Sequence, residues 1–290
     1  MAKMKYGFVL PSGDARTAAD FAAEAEAAGW DGFFVWEAVW GIDAWISLAA
    51  AAMRTQYIRL GTLLTPPSRM RPWKLASETV TLDHLSHGRL NLAVGLGAID
   101  SGFEAFGEVT DRKQRAELLD ESLELLALMW RGRPFRFEGR HYRVDVNSKT
   151  MHLPLPPPSV QQPRIPIWVV GAWPSQKSMQ RALRYDGLLP QVLGEDGKVR
   201  MSPVTPEEVR QMADYAAEQR AEVFAGQEPP PYDIIVEGQT PGADPERAVE
   251  MVRPYAQAGA TWWLEAMWET PKPENVLARL QQGPPKSGLL

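Results

Sequence analysis

Apolar residues fall along this chain in short runs separated by longer amphipathic stretches, and the two kinds of segment alternate. Residues 4–10 form an apolar run closed by Pro11-Ser12-Gly13-Asp14, which predicts a strand and a turn. Phe21, Ala25 and Ala28 follow at helical spacing and stop at Gly29, as an amphipathic helix with a glycine C-cap does. Residues 32–36 read as a second strand, and the alanine-rich residues 44–53 as a helix able to lie close to a sheet. Residues 58–66 predict a third strand, a helix through Leu75, Val80, Leu82 and Leu85 comes next, and residues 90–97 predict a fourth strand. Residues 110–130 make a long helix with Leu119, Leu123, Leu126 and Trp130 on one stripe.

The rhythm then breaks. Residues 135–144 alternate around Glu138-Gly139 like a β-hairpin, and a proline-rich passage runs over 154–166. Alternation resumes at once, with strands at 167–171, 187–192, 233–237 and 261–265. Helices at 175–185, 205–224, 245–258 and 275–281 follow them in turn, and a polar loop covers 194–203. Strands that alternate with helices of this length are parallel βαβ units, because parallel neighbours need a crossover connection. Eight such units predict an α/β fold, a closed (β/α)8 TIM barrel occupying residues 1–290 as one domain. Residues 131–166 are then an excursion carrying the hairpin and the proline-rich passage between the fourth helix and the fifth strand.

Composition narrows the function. At 290 residues and 44% hydrophobic content the chain suits one barrel of about 250 residues. A net charge of −5 with both signs interspersed argues against a nucleic-acid surface. The absence of cysteine excludes disulfides, thiolate metal sites and a cysteine nucleophile, and fits a cytoplasmic protein. No run approaches the roughly 20 apolar residues of a membrane span, so neither a membrane nor a nucleic acid is an expected partner.

In such barrels the chemistry belongs at the carboxyl ends of the strands. Ala28-Gly29-Trp30 through Glu37-Ala38-Val39-Trp40 is echoed by Ala258-Gly259-Ala260 through Glu265-Ala266-Met267-Trp268, which places Glu37 and Glu265 on the barrel mouth as candidate acid-base carboxylates. The alternative reading is two carboxylates that only hydrogen-bond loops. Gly95-Leu96-Gly97-Ala98-Ile99-Asp100 lacks the third glycine of a dinucleotide fingerprint and opens no helix, so the two glycines serve instead to let a flat ring approach the backbone. His84 and His87 have no further ligands nearby and read as helix-terminal residues, not a metal site. Arg69 and Arg71 read as a solvated loop face rather than an anion site. In Gly171-Ala172-Trp173-Pro174-Ser175-Gln176-Lys177, a glycine at a strand end precedes a helix start, which offers backbone N–H groups, a hydroxyl and a lysine to a phosphate.

These segments carry a resemblance to the luciferase-like monooxygenase family of flavin- and F420-dependent oxidoreductases. Its most specific parts are Gly61-Thr62-Leu63-Leu64-Thr65-Pro66-Pro67 with Arg71-Pro72, Leu82-Asp83-His84-Leu85-Ser86-His87-Gly88-Arg89-Leu90 and Val94-Gly95-Leu96-Gly97. Phe137-Glu138-Gly139-Arg140-His141-Tyr142 and Ile167-Trp168-Val169-Val170-Gly171 support it. The resemblance implies a flavin or deazaflavin ring at the barrel mouth, with a non-prolyl cis peptide at Thr62-Leu63 or the bond after it. It implies cofactor contacts from Trp36, Glu37, Thr62, Leu63, Thr65, Gly95, Gly97, Ser101, Gly171, Ala172, Trp173 and Ser175, and a substrate pocket bordered by Trp40, Trp263 and Trp268. Members that oxidise sugars with F420 pair a His after the second-strand acid with a Glu after the fourth-strand glycines; here those places hold Ala38 and Ala98. The expectation is therefore a monooxygenase using reduced FMN and O2 on a small, partly apolar organic substrate. The alternatives are F420-dependent hydride transfer and a flavin-binding barrel without turnover. A flavin reductase or F420 reductase as partner, and a homo-oligomer, complete what the resemblance implies.

Overall fold

The computed structural model describes residues 4–147, 149–224, 227, 229–269 and 272–285. Its first half runs β1 (Lys5–Leu10), α1 (Ala15–Ala28), β2 (Gly32–Val35), α2 (Ala44–Arg54), β3 (Arg59–Thr65), α3 (Pro72–Leu85), β4 (Leu90–Val94) and α4 (Arg112–Met129). Then come the hairpin β5 (Phe135–Glu138) and β6 (Arg143–Val146), followed by β7 (Ile167–Trp173), α5 (Gln176–Leu183), β8 (Gly187–Val192) and α6 (Pro206–Val223). The chain closes with β9 (Asp233–Gly238), α7 (Pro245–Gln257), β10 (Trp262–Ala266) and α8 (Pro273–Gln281). Eight of the ten strands form a closed barrel in the order β1-β10-β9-β8-β7-β4-β3-β2, every barrel pair parallel, while β5 and β6 pair only with each other. This is the expected (β/α)8 TIM barrel with its hairpin excursion.

Helix boundaries follow local chemistry. Asp14, Asp43, Asp111 and Asp244 each cap a helix by accepting a backbone N–H, and Thr205 with Glu208 closes a full capping box on α6. Gly29 stops α1 at φ 87°, a left-handed conformation open to glycine at little steric cost. The hairpin differs from its expected form. Glu138 pairs with Arg143, so its loop spans four residues, because the Glu121 carboxylate of α4 accepts the N–H groups of Arg140, His141 and Tyr142. The proline-rich passage is tied down by Asp83, which accepts from Val160 N, Gln161 N and Gln161 Nε2, and by His84, whose Nε2 lies 2.8 Å from Pro158 O. His84 is thus a structural contact. Short 3-10 turns at 67–69, 99–101 and 104–106 occupy stretches expected as loop.

Strand alternation divides the apolar side chains into two clusters. Inside the barrel lie Val9, Phe34, Leu63, Ala93, Trp168, Leu189, Ile235, Trp262, Leu264 and Ala266; the opposite faces of the same strands pack against the helices. Trp168 fills the centre, with ring centroids 5.5 Å from Phe34 and 5.2 Å from Trp262. Gly61 opens the interior on its side, since a Cβ there would stand 2.3 Å from Asn91 O and 3.0 Å from Phe34. Truncating the central ring, Trp168→Ala, leaves a cavity no neighbour can fill. It is expected to lower unfolding free energy by about 3–5 kcal/mol in a urea titration, whereas a loss under 1 kcal/mol would show that the interior is not the close-packed plug described.

Candidate active site

The carboxyl-end mouth of the barrel has an apolar floor. Leu64 and Val170 sit half-buried on the interior cluster, and a Cβ at Gly95 would press to 2.9 Å from Val170 and 3.1 Å from Leu64. Gly97, at φ 77°, brings its backbone against Phe103 and Pro66, where any side chain would collide. The Leu63-Leu64 peptide is cis, at the second of the two bonds where it was expected. Thr62 and Thr65 are fully buried behind this floor, their hydroxyls 2.8 Å apart. Ala172 ends the inward face of β7, while Ser101 lies on the β4–α4 connection with its hydroxyl on Ala98 O at 2.6 Å.

Glu37 stands at the edge of the floor, just past β2. Its side chain is 9% exposed, its Oε2 accepts from the Thr65 hydroxyl, and Arg69 Nη2 lies 3.5 Å from Oε1. Burial pushes its carboxyl up to about 7, against the lowering pull of the Thr65 hydroxyl and the Arg69 guanidinium. Arg69, expected on a solvated face, is instead 7% exposed, stacks over Phe103 and leaves a buried Nε without a partner. A cleft of about 310 Å³ lies beside this pair, bordered by Glu37, Trp40, Arg69 and Glu108. A second cleft of about 240 Å³ touches Trp36, Trp40, Pro11 and Ser101. Trp36 and Trp40 are exposed at this rim, and Trp40 packs on Phe106 at 6.1 Å.

Glu265 and Trp263 need correction as mouth residues. Glu265 pairs with Phe8 of β1 on one side and Gly238 of β9 on the other, within the barrel wall. Trp262, Leu264 and Ala266 take the inward positions of β10, which turns Trp263 and Glu265 toward the helices. Glu265 is 0% exposed. It accepts from Thr240 N and Thr240 Oγ1, both at 2.8 Å, and from Arg279 Nε at 3.1 Å. Trp263 packs on Tyr255 at 5.4 Å and points its indole nitrogen at Glu265 Oε2. The repeated Glu-Ala-x-Trp is therefore not a structural echo.

The phosphate segment is divided as well. A Cβ on Gly171 would meet Leu188 at 2.2 Å and Met179 at 3.0 Å, so this glycine serves close packing of α5 on the barrel. The Trp173 ring packs on Tyr215 of α6 at 5.5 Å, away from the mouth. Ala172 N is taken by Ser178 Oγ at 3.0 Å. What remains toward solvent is the start of α5, with Ser175 at the N-cap position making no side-chain cap bond and Lys177 exposed in the first turn. Among the described residues no group of three or more His, Asp or Glu is placed to hold a metal ion.

One mouth residue escaped the sequence reading. Ile235 points into the interior, so Glu237, two residues on, is the last inward position of β9. Trp268 reaches over from the end of β10 and donates its indole N–H to Glu237 Oε2 at 3.0 Å. Glu237 is exposed to solvent at the mouth; the barrel wall around it still raises its carboxyl above the ordinary range, and the Trp268 bond opposes that rise.

The family model described as luciferase-like monooxygenase matches residues 4–282, and the chain belongs to that family. An F420-dependent glucose-6-phosphate dehydrogenase of Nocardia farcinica is 28% identical over 263 residues, covering 74% of each chain. The oxygenase component of a flavin-dependent trigonelline monooxygenase of Acinetobacter baylyi is 29% identical over 133 residues, covering 46% of this chain and 35% of that one. An uncharacterized protein of Mycobacterium tuberculosis is 32% identical over 139 residues, so the match spans about half of each chain. Among solved structures, the F420-dependent tetrahydromethanopterin reductase of Methanopyrus kandleri superposes with a TM-score of 0.75 at 17% identity, covering 98% of this chain and 99% of the other. A monooxygenase from Streptomyces bottropensis gives 0.71 at 20%, covering 96% and 97%. Fold and family are thereby fixed, and members carry out flavin- or F420-dependent oxidoreduction.

Two predictions separate the carboxylates. Glu37→Gln removes a group whose folded-state pKa lies above its unfolded value, so the wild type holds an extra proton when folded and loses stability as pH rises from about 4.5 to about 7. The stability of Glu37→Gln relative to wild type is expected to climb across that window and level off above it, followed by denaturant midpoints at each pH; a flat difference would contradict the burial argument. Arg279→Met strands a buried Glu265 and is expected to cost about 3–5 kcal/mol of unfolding free energy. Cofactor affinity, read by fluorescence titration, should stay at the wild-type value.

Proposed function

We propose that this chain catalyses hydride transfer between F420 and a small organic alcohol or carbonyl compound. The observation that carries this reading is a mouth whose apolar floor, Leu64, Gly95 and Val170, adjoins a carboxyl held near neutrality at Glu37. A floor without projecting polar atoms suits one face of a planar ring, and a group titrating near 7 suits proton exchange at working pH. The relative aligned over 74% of this chain is named as F420-dependent, whereas the named flavin monooxygenase aligns over 46%.

The residues present fit such a cofactor. Gly95 adds no Cβ among Leu64 and Val170, which keeps the floor flat, and the unpartnered Arg69 Nε supplies a buried donor beside it. Ser175, Lys177 and the first N–H groups of α5 would hold the phosphate, helped by the positive end of the helix. When bound, the deazaflavin supplies a carrier for two electrons and a hydride. The protein's part is positional. Leu64 and Val170 would meet one ring face, while the Thr65 hydroxyl and Arg69 hold Glu37 in place as the carboxyl available for proton exchange. Reduced cofactor for the carbonyl-reducing direction would be supplied by a separate F420 reductase.

A second reading, the FMN-dependent monooxygenase expected from sequence, is favoured by one observation. Ala38 and Ala98 stand where sugar-oxidising members have a His and a Glu, so that particular acid-base pair is missing. Titration of the purified protein with F420 and with FMN, followed by addition of propan-2-ol, cyclohexanol, benzyl alcohol and glucose 6-phosphate, decides between them. The expected result is saturable F420 binding and bleaching of its visible absorbance by at least one alcohol. Saturable FMN binding with oxygen uptake and no F420 bleaching would overturn the proposal, and binding of neither would leave a barrel without this activity.

A further inference from the structure

The missing His and Glu leave the proposed reaction without a recognisable group to take the substrate's proton. The barrel geometry supplies one elsewhere. β9 stands four strands from β3 in either direction round the closed sheet, so Glu237 and Leu64 belong to opposite walls of the barrel. A ring held on the Leu64 floor would leave its other face to the wall that carries Glu237. The neighbouring inward positions are Ala172 and Gln191, which are paired across β7 and β8, and Ala266 on β10; none carries a charge. Trp268 Nε1 occupies Oε2. Among the described residues Oε1 has no hydrogen-bond partner and no Lys or Arg pairs with the group. A carboxylate held by a single indole donor retains acceptor capacity for a further O–H or N–H.

We infer that Glu237, oriented by Trp268, is the substrate-facing carboxyl of this mouth, receiving the hydroxyl proton of an uncharged alcohol and disfavouring anionic substrates such as sugar phosphates. This rests on the hydride-transfer reading above. In the oxidative direction the carbinol C–H bond would break, with oxidised F420, when bound, supplying the two-electron acceptor for its hydride. The O–H bond breaks as its proton moves to Glu237 Oε1, and the product is the carbonyl compound, the proton leaving afterwards to solvent. The reverse direction returns that proton to the carbonyl oxygen. Selectivity has two sources. The cations nearest the floor are turned to protein acceptors, Arg69 to Glu37 and the Ala38 carbonyl and Arg115 to the Leu96 and Gly97 carbonyls, which disfavours a phosphate there. The rim facing the mouth is aromatic, with Trp36, Trp40 and Trp268 exposed, and favours an apolar substituent on the alcohol.

The test uses two readouts on F420-loaded protein. With an alcohol that bleaches F420, Glu237→Gln should lower kcat about 100-fold while F420 affinity is unchanged, and Glu237→Asp should recover part of the rate. Independently, the Trp268 Nε1–H resonance, assigned with Trp268→Phe, should move when cyclohexanol or benzyl alcohol is added to the wild type. It should stay in place in Glu237→Gln, and in the wild type when glucose 6-phosphate is added. Wild-type rates in Glu237→Gln, an unmoved wild-type resonance with both alcohols, or an equal response to glucose 6-phosphate would overturn the assignment. If an alcohol moves the resonance but none bleaches F420, the reaction class falls and the placement of Glu237 against substrate stands.

Discussion

Closure of the sheet governs every placement in this molecule. Once β1 pairs with β2 on one side and β10 on the other, Val9, Phe34 and Ala266 share a level, and each strand must send alternate side chains inward or outward. The interior is filled by Phe34, Trp168 and Trp262, so there is no pore, and only inward residues near the carboxyl ends of the strands can meet a ligand. Leu64, Gly95, Val170, Ala172, Gln191, Glu237 and Ala266 hold those places, and helices cover the rest. A polar group one position away on the same strand is as far from the chemistry as the opposite side of the sheet.

That rule explains the two fates of the mouth carboxylates. Glu265 turned outward becomes a buried structural anion, joining the Thr240 loop to α8 through Arg279, which itself stacks over Trp30. Such a pair costs desolvation and is retained with full hydrogen bonding on its acceptor atoms. Glu237 turned inward keeps an oxygen free. Glu37 lies past the end of its strand and answers to neither face, so its setting comes from Thr65 at the end of β3 and Arg69 on the connection that follows.

Element order was legible because two periods, near two and near 3.6 residues, punctuate the chain with glycine, proline and capping residues. The four-residue hairpin loop was not, since it depends on Glu121 reaching from a distant helix. The inward face of each strand was hidden for a more general reason. Parallel barrel strands are buried on both sides and read as continuous apolar runs, so Trp262-Trp263-Leu264 carries no mark of which tryptophan faces in. Glu265 was mis-sided and Glu237 overlooked from that one cause. The signal that could have found Glu237 is its two-residue spacing from Ile235, usable only once the barrel register is known. The apolar floor fared better, because Gly95 and Gly97 announce themselves as small residues at a strand's end. Arg69 was misjudged because burial of a loop arginine depends on Glu37 and Phe103, which are distant in sequence.

The family is settled over residues 4–282; which cofactor it uses is the proposal on which the account turns. A crystal structure of the protein grown with F420 tests it most directly. The account predicts the deazaflavin ring lying on Leu64 and Val170, its phosphate at the start of α5, and its free face turned toward Glu237. A ring bound elsewhere, or bound on the floor with Glu237 buried beneath it and out of reach of any substrate, would contradict it.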